Sequence, residues 1–112
     1  MVFKSNLSYT ILKPLISTTQ INIYNARRRM YAHVSACGEE LHMKMETPWG
    51  VHCLLFLEFR IKEHGYAIKT SNHKYLSCDG GELVNAYTEE CLFTLEFFAG
   101  KMAFKSKKTA DM

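Results

Sequence analysis

Several features are scarce in this chain, and each scarcity removes a class of protein. No uninterrupted apolar run reaches the roughly 18 residues that a membrane-spanning helix needs. In residues 1–19 Lys4 and Lys13 interrupt the apolar positions, and Pro14 would end a helix. That stretch also lacks a continuous hydrophobic region with a small-residue cleavage site, which argues against a secretory leader; its freedom from acids leaves a transit peptide open. It reads as a non-family extension or linker. None of the four cysteines, Cys37, Cys53, Cys78 and Cys91, forms a CxxC pair. Disulfide frameworks belong to small secreted chains too poor in apolar residues to build a core, whereas this one has seven Phe, six Tyr and one Trp. Reduced thiols, buried in a cytosolic protein, are the expectation. No glycine loop is suited to cradle a phosphate, because Gly80-Gly81 is followed by Glu82, which would repel an anion. His52 adjoins Cys53, but neighbouring strand residues point to opposite faces and cannot easily form a base–nucleophile contact. His33 with Cys37 and His73 with Cys78 bridge strand and turn, without a compact four-ligand set. The reading is a non-catalytic protein with no metal and no cofactor.

What is present is a core-forming composition. With 47% apolar and 22% charged residues, 112 residues suffice for one domain with a single core. The formal net charge of +3 is unevenly placed, since Lys4, Lys13, Arg27, Arg28 and Arg29 all precede the first acid, Glu39. A basic half favours an anionic partner, a filament surface, nucleic acid or lipid, and charge alone does not choose among them.

The strongest internal signal is a repeat. Tyr66-Ala67-Ile68-Lys69-Thr70 returns as Met102-Ala103-Phe104-Lys105-Ser106, and Leu57-Glu58-Phe59 returns as Leu95-Glu96-Phe97, at offsets of 36 and 38 residues. Recurrence at nearly one period marks stacked supersecondary units that share a core. Upstream, Gln20 to Tyr24, a basic turn, and Met30 to Ser35 follow the same plan, with Tyr31 matching Tyr75 and Gly38-Glu39-Glu40-Leu41 matching Gly80-Gly81-Glu82-Leu83. Two complete units, about 20 to 59 and 66 to 97, are followed by the first strand of a third. Short alternating or apolar runs between polar turns predict about nine strands and no helix. Cys53 to Phe59 and Leu92 to Phe98 read as buried strands, and Asp79-Gly80-Gly81 reads as a tight turn. Recurrence also assigns Tyr31, Tyr75, Leu57, Leu95, Phe59 and Phe97 to the core. Trp49, offered from a Pro48-Gly50 corner, reads as a barrel-bottom or interdomain packing residue ahead of a ligand platform.

Five segments, in this order and spacing, carry a family resemblance: Ile21-Asn22-Ile23-Tyr24; Tyr31-Ala32-His33 after a basic turn; Pro48-Trp49-Gly50; His73-Lys74-Tyr75-Leu76; and Thr94-Leu95-Glu96-Phe97 leading to Gly100-Lys101-Met102-Ala103-Phe104. Residues 20–106 resemble the fascin family of actin-bundling proteins, and most closely the second of that family's four β-trefoil domains. The resemblance implies an all-β fold, an incomplete β-trefoil of two lobes plus the first strand of a third; the polar residues 107–112 read as a frayed tail. Such a truncation leaves strand edges unpaired unless something covers them. One candidate cover is Tyr9 to Ile16 folding back over the gap.

The resemblance also implies a function without catalysis, namely binding and crosslinking of filamentous actin in the cytoplasm by a monomer, with no nucleic-acid or membrane partner. Arg27, Arg28 and Arg29 are the first candidates for actin contact, because guanidinium forks suit carboxylates on an acidic filament; the bland alternative is a solvated hairpin loop. In the family the basic residues run up to the tyrosine, whereas here Met30 intervenes. Lys74 is the next candidate, ahead of Lys69, Lys101 and Lys105, each of which is otherwise a solvated lysine. The competing readings are a trefoil module recognising glycans or phosphoinositides, and single-stranded nucleic-acid binding, for which no stacking strip is evident.

Overall fold

A computed structural model describes residues 16–78 and 80–107. Ten strands follow in order: β1 Ile16–Ile21, β2 Tyr24–Asn25, β3 Met30–Val34, β4 Leu41–Met45, β5 Leu55–Arg60, β6 Gly65–Thr70, β7 Tyr75–Leu76, β8 Leu83–Val84, β9 Phe93–Phe98 and β10 Lys101–Ser106. Every pairing is antiparallel. The larger sheet runs β1-β5-β6-β7-β8, and β9 joins it on β6 and carries β10; β2-β3-β4 form the second sheet. The strand anticipated at Ile21 to Tyr24 is two strands. Asn22 interrupts them, and its Nδ2 donates to the Cys53 carbonyl at 2.9 Å. β1 extends back to Ile16, opposite Arg60. The expectations for the leader before Ile16, for Tyr9 to Leu15, for Asp79 and for the tail after Lys107 lie outside the described residues.

The repeat is written in the backbone hydrogen bonds. Ser35 N–H donates to the Glu40 carbonyl and Ser77 N–H to the Glu82 carbonyl, both at 2.8 Å, so the two glycine turns close alike. They also meet. Leu41 N–H donates to the Gly81 carbonyl at 2.8 Å and Leu83 N–H to the Glu39 carbonyl at 2.9 Å, around a bridge between Glu40 and Glu82. Gly38 and Gly81 sit at φ 77° and 86°, which is why glycine occupies both turns.

A second matched pair is a single 3-10 turn ahead of each long apolar strand, Val51–Cys53 and Glu89–Cys91, which corrects the reading of Cys53 as the start of a strand. Cys53 N–H bonds the Gly50 carbonyl and Cys91 N–H the Thr88 carbonyl, which draws both thiols fully inside. None of the four cysteines is in a disulfide; Cys37 is exposed and Cys78 half-buried, so burial holds for two of them.

Hairpin register also reassigns one equivalence. Val34 faces Leu41 as Leu76 faces Leu83, so Tyr75, facing Val84, corresponds to His33, facing His42. Tyr31 is displaced from that position by a bulge between Tyr31 and Ala32 and by the longer turn before it.

Ala32, Leu55 and Ile68 form the fully buried centre, with Ile21, Ile23, Leu41, Met43, Leu57, Leu76 and Phe104 packed around them. Burying side chains of this kind is the dominant favourable term, about 1.5–3 kcal/mol each. Two of the residues assigned to the core by recurrence are not in it. Phe97 is 75% exposed and Phe59 37% exposed. Phe97 lies opposite Met102 on the β9–β10 hairpin, whose outward face is covered by no described layer. Trp49 is 85% exposed beside Val51 at 71%, an apolar corner open to solvent.

Candidate functional site

The arginines stand on a turn built to hold them out. Asn25 ends β2, and its Oδ1 accepts from the backbone N–H of both Arg27 and Arg28 at 3.0 Å. Arg29 N–H then closes the turn on the Asn25 carbonyl at 2.7 Å, with Arg29 at φ 58°. An asparagine that bonds backbone two and three residues on is a local turn former, which fixes this loop without help from the core. At its base the rings of Tyr24 and Tyr31, paired across β2 and β3, lie 4.7 Å apart. All three arginines are exposed, and among the described residues none is ion-paired to a carboxylate. Three guanidinium groups on consecutive residues, unneutralised by the chain's own acids, leave their field directed outward.

Lys74 is elsewhere. It follows the corresponding turn of the second unit, half-buried, with its N–H and carbonyl both bonded to Thr70. The structure therefore gathers Arg27, Arg28 and Arg29 on one turn and leaves Lys74 on another. Lys69 places its ammonium 5.6 Å from the Tyr75 ring, and Lys105 lies 3.7 Å from Glu96, so each has an intramolecular partner. Sequence reasoning missed Asn25, although an Asn just ahead of a polar turn is a recognisable signal. It also missed a groove of about 610 Å³ beside the arginine turn, lined by Ile21, Tyr24, Arg27, Leu57, Lys101 and Phe104 among others. That groove needed the topology, because β1 and β10 are far apart in sequence.

A second polar cluster is internal. Glu58, buried on β5, receives Arg60 Nη1 at 3.0 Å and the Tyr75 hydroxyl at 3.3 and 3.2 Å. The Arg60 guanidinium carbon lies 3.6 Å from the centroid of the Tyr87 ring. Burial raises the Tyr75 hydroxyl above its ordinary value, and the nearby Glu58 carboxylate raises it further. Burial also raises Tyr87, against the opposing charge of Arg60. Every charged member has a partner within the cluster, which gives it the character of a structural tie between β5, β7 and residues 85–88.

Two units of one plan, β1 to β5 and β6 to β9, and β10 as the first strand of a third, set around shared strands and showing a cationic turn to solvent, define an incomplete β-trefoil. The fascin-domain family profile matches residues 21–109. The chain is 38% identical to Fascin-2 of Bos taurus over 86 residues, covering 77% of this chain and 17% of that protein. To Fascin-2 of Mus musculus it is 35% identical over 86 residues, again 77% of this chain and 17% of the relative. With Fascin-2 of Homo sapiens it shares 37% identity over 61 residues, 54% of this chain and 12% of that protein. The chain belongs to the fascin family and spans less than a fifth of the length of these relatives. Residues 16–20 precede the family match, yet they hold register with β5.

Proposed function

We propose that this chain binds filamentous actin through the arginine turn, without catalysis, as one contact element of a cytoplasmic filament crosslinker. The observation that carries this reading is the turn itself: Asn25 anchors it and three exposed guanidinium groups project from it with no described acid to neutralise them. Carboxylates on an acidic filament supply what the chain withholds, and bidentate pairing favours arginine over lysine for that contact. Lys74 supplements the contact from its separate turn. Crosslinking takes two filament sites on one molecule, because a single site decorates a filament without bridging two. The arginine turn is one site, so the monomeric chain decorates.

Co-sedimentation with filamentous actin tests this. Exposed ion pairs contribute about 0.2–1 kcal/mol each, so reversing all three charges (R27E, R28E, R29E) removes about 0.6–3 kcal/mol, roughly 3- to 150-fold in Kd. Binding also weakens steeply as salt rises, since the screening length contracts to about 8 Å at 0.15 M. Binding untouched by the triple reversal, or tight crosslinking indifferent to salt, would overturn the reading.

A further inference from the structure

Three imidazole rings meet beside β3. His33 and His42 are directly opposed across β3 and β4, and opposed residues of an antiparallel pair point to one face with Cβ atoms about 4.5–5.5 Å apart. Their ring centres lie 5.8 Å apart at an interplanar angle of 85°. His52, from the turn Val51–Cys53, sets its ring 5.8 Å from that of His33 at 82°. The sequence offers Cys37 as the companion of His33; the fold sets His42 opposite it instead.

The hydrogen bonds decide which nitrogen of each neutral ring keeps a lone pair. His33 Nδ1 lies 3.0 Å from the Val34 carbonyl, which can only accept, so Nδ1 carries the proton and Nε2 is bare. That Nε2 is buried and has no hydrogen-bond partner among the described residues. A buried lone pair without a donor is costly, and an imidazole lone pair is what a transition-metal ion takes as ligand. His42 Nε2 lies 3.0 Å from Glu40 Oε1, so there Nε2 carries the proton and Nδ1 is bare. Each ring therefore has one nitrogen tied to an oxygen and the other open, which is how carbonyl and carboxylate oxygens orient metal-binding histidines.

We propose that His33 Nε2 and His42 Nδ1 bind one divalent transition-metal ion of the kind that favours imidazole, zinc or copper, and so clip β3 to β4. Two imidazoles on one tetrahedral ion, at about 2.0–2.1 Å per nitrogen, hold their ring centres about 5 Å apart. Side-chain rotation covers the difference from 5.8 Å. No three His, Cys, Asp or Glu side chains are gathered at ligand distance among the described residues, so the remaining positions on the ion fall to water. His52 is the less suited ring, because it is packed on Gly50, where any Cβ would collide with it. The site is independent of the arginine turn.

Titration of the full chain with Zn²⁺ tests the proposal, read by calorimetry and by the imidazole signals in nuclear magnetic resonance. The expected result is one ion per chain, with the His33 and His42 ring signals shifting together, no such shift with Mg²⁺, and an unfolding midpoint that rises with Zn²⁺. Cys37→Ser removes the exposed thiol and should leave the affinity unchanged. Glu40→Ala, which removes only the oxygen that orients His42, should weaken Zn²⁺ binding about tenfold, and His42→Ala by more. His52→Ala should leave it nearly unchanged. Glu40 is exposed and His42 half-buried; should either variant fail to fold, the ring shifts in the wild-type chain decide. Binding that survives His42→Ala, that falls as far with His52→Ala, that disappears in Cys37→Ser, or that shifts neither the His33 nor the His42 ring would overturn it.

Discussion

Replacing Glu58 by glutamine tests how far the two lobes depend on the ionic tie between them. Glu58 is 6% exposed and keeps three contacts, one to Arg60 at 3.0 Å and two to the Tyr75 hydroxyl. Two magnitudes compete. If the Glu58–Arg60 pair behaved as a surface salt bridge, its loss would cost about 0–1 kcal/mol. The Arg60 side chain is only 13% exposed, however, and Glu63, at 3.7 Å from its Nε, is a weaker substitute partner at the rim. Removing one member of a buried pair leaves the other charge desolvated, which costs about 3–5 kcal/mol. The remaining Glu63 contact and the Tyr87 ring under the guanidinium soften that, so about 3 kcal/mol is the expected loss for Glu58→Gln. Tyr75→Phe alone removes a hydrogen bond to a carboxylate, worth about 1.5 kcal/mol at these long distances. The two changes must not add. Once Glu58 is neutral the Tyr75 hydroxyl loses its charged acceptor, so the double variant should fall short of the sum by about 1 kcal/mol. Urea unfolding measures each step; with a slope of about 1–3 kcal/mol per molar, a 3 kcal/mol loss moves the midpoint by about 1 M or more. Additivity within about 0.3–0.5 kcal/mol, or a Glu58→Gln loss under 1 kcal/mol, would refute the tie.

Alkaline pH should destabilise the chain through the same cluster. The folded state holds the Tyr75 and Tyr87 protons more tightly than the unfolded state, whose value is 10.0, because burial disfavours both phenolates and Glu58 repels that of Tyr75. Their contribution is whole below pH 10 and is lost as pH rises through the folded values, so Tm should drop across that window, and less so in Tyr75→Phe; a flat or rising Tm would contradict the assignment. Asn25→Ala removes the side-chain acceptor for two turn amides, with an expected stability loss of about 1 kcal/mol in thermal unfolding. Because it leaves all three arginines in place, it should weaken filament co-sedimentation while preserving its salt dependence; unaltered binding would show that the turn need not be fixed.

Much of the scaffold is legible from residue types because the repeat is local. Glycine at the two turns, alternation in Leu41 to Met45 and the apolar runs before Phe59 and Phe98 each specify their own element. The misread places are those where one unit departs from the other. A hydrophobic run cannot announce that its first residues form a 3-10 turn, since the signal is a backbone bond from Cys53 to Gly50 rather than a residue pattern. Tyr31 and Tyr75 share a residue type but not a register, because a bulge absorbs the difference between them. Phe97 carries the core-type residue of Leu95–Phe97 in a hairpin whose outer face meets no described layer, so recurrence alone overstates its burial. The arginines were visible as charge. Their fixation by Asn25 was not read, although its residues are adjacent.

The difference between the units is also what makes the arginine turn a separable device. Arg29 N–H closes the turn on the Asn25 carbonyl in the first unit and His73 N–H closes it on the Thr70 carbonyl in the second, four steps of chain in one against three in the other. Even doubling a loop costs only about 0.6 kcal/mol in closure entropy, so a small lengthening is minor beside the burial of Leu55 or Ile68. Both turns end alike, on a residue with positive φ, Arg29 at 58° and His73 at 64°, before the next strand starts. The strand exit is therefore kept while the excursion ahead of it grows. None of the three arginines belongs to the buried centre, so the excursion can vary without cost to the core, the usual division between a rigid scaffold and the loops it carries.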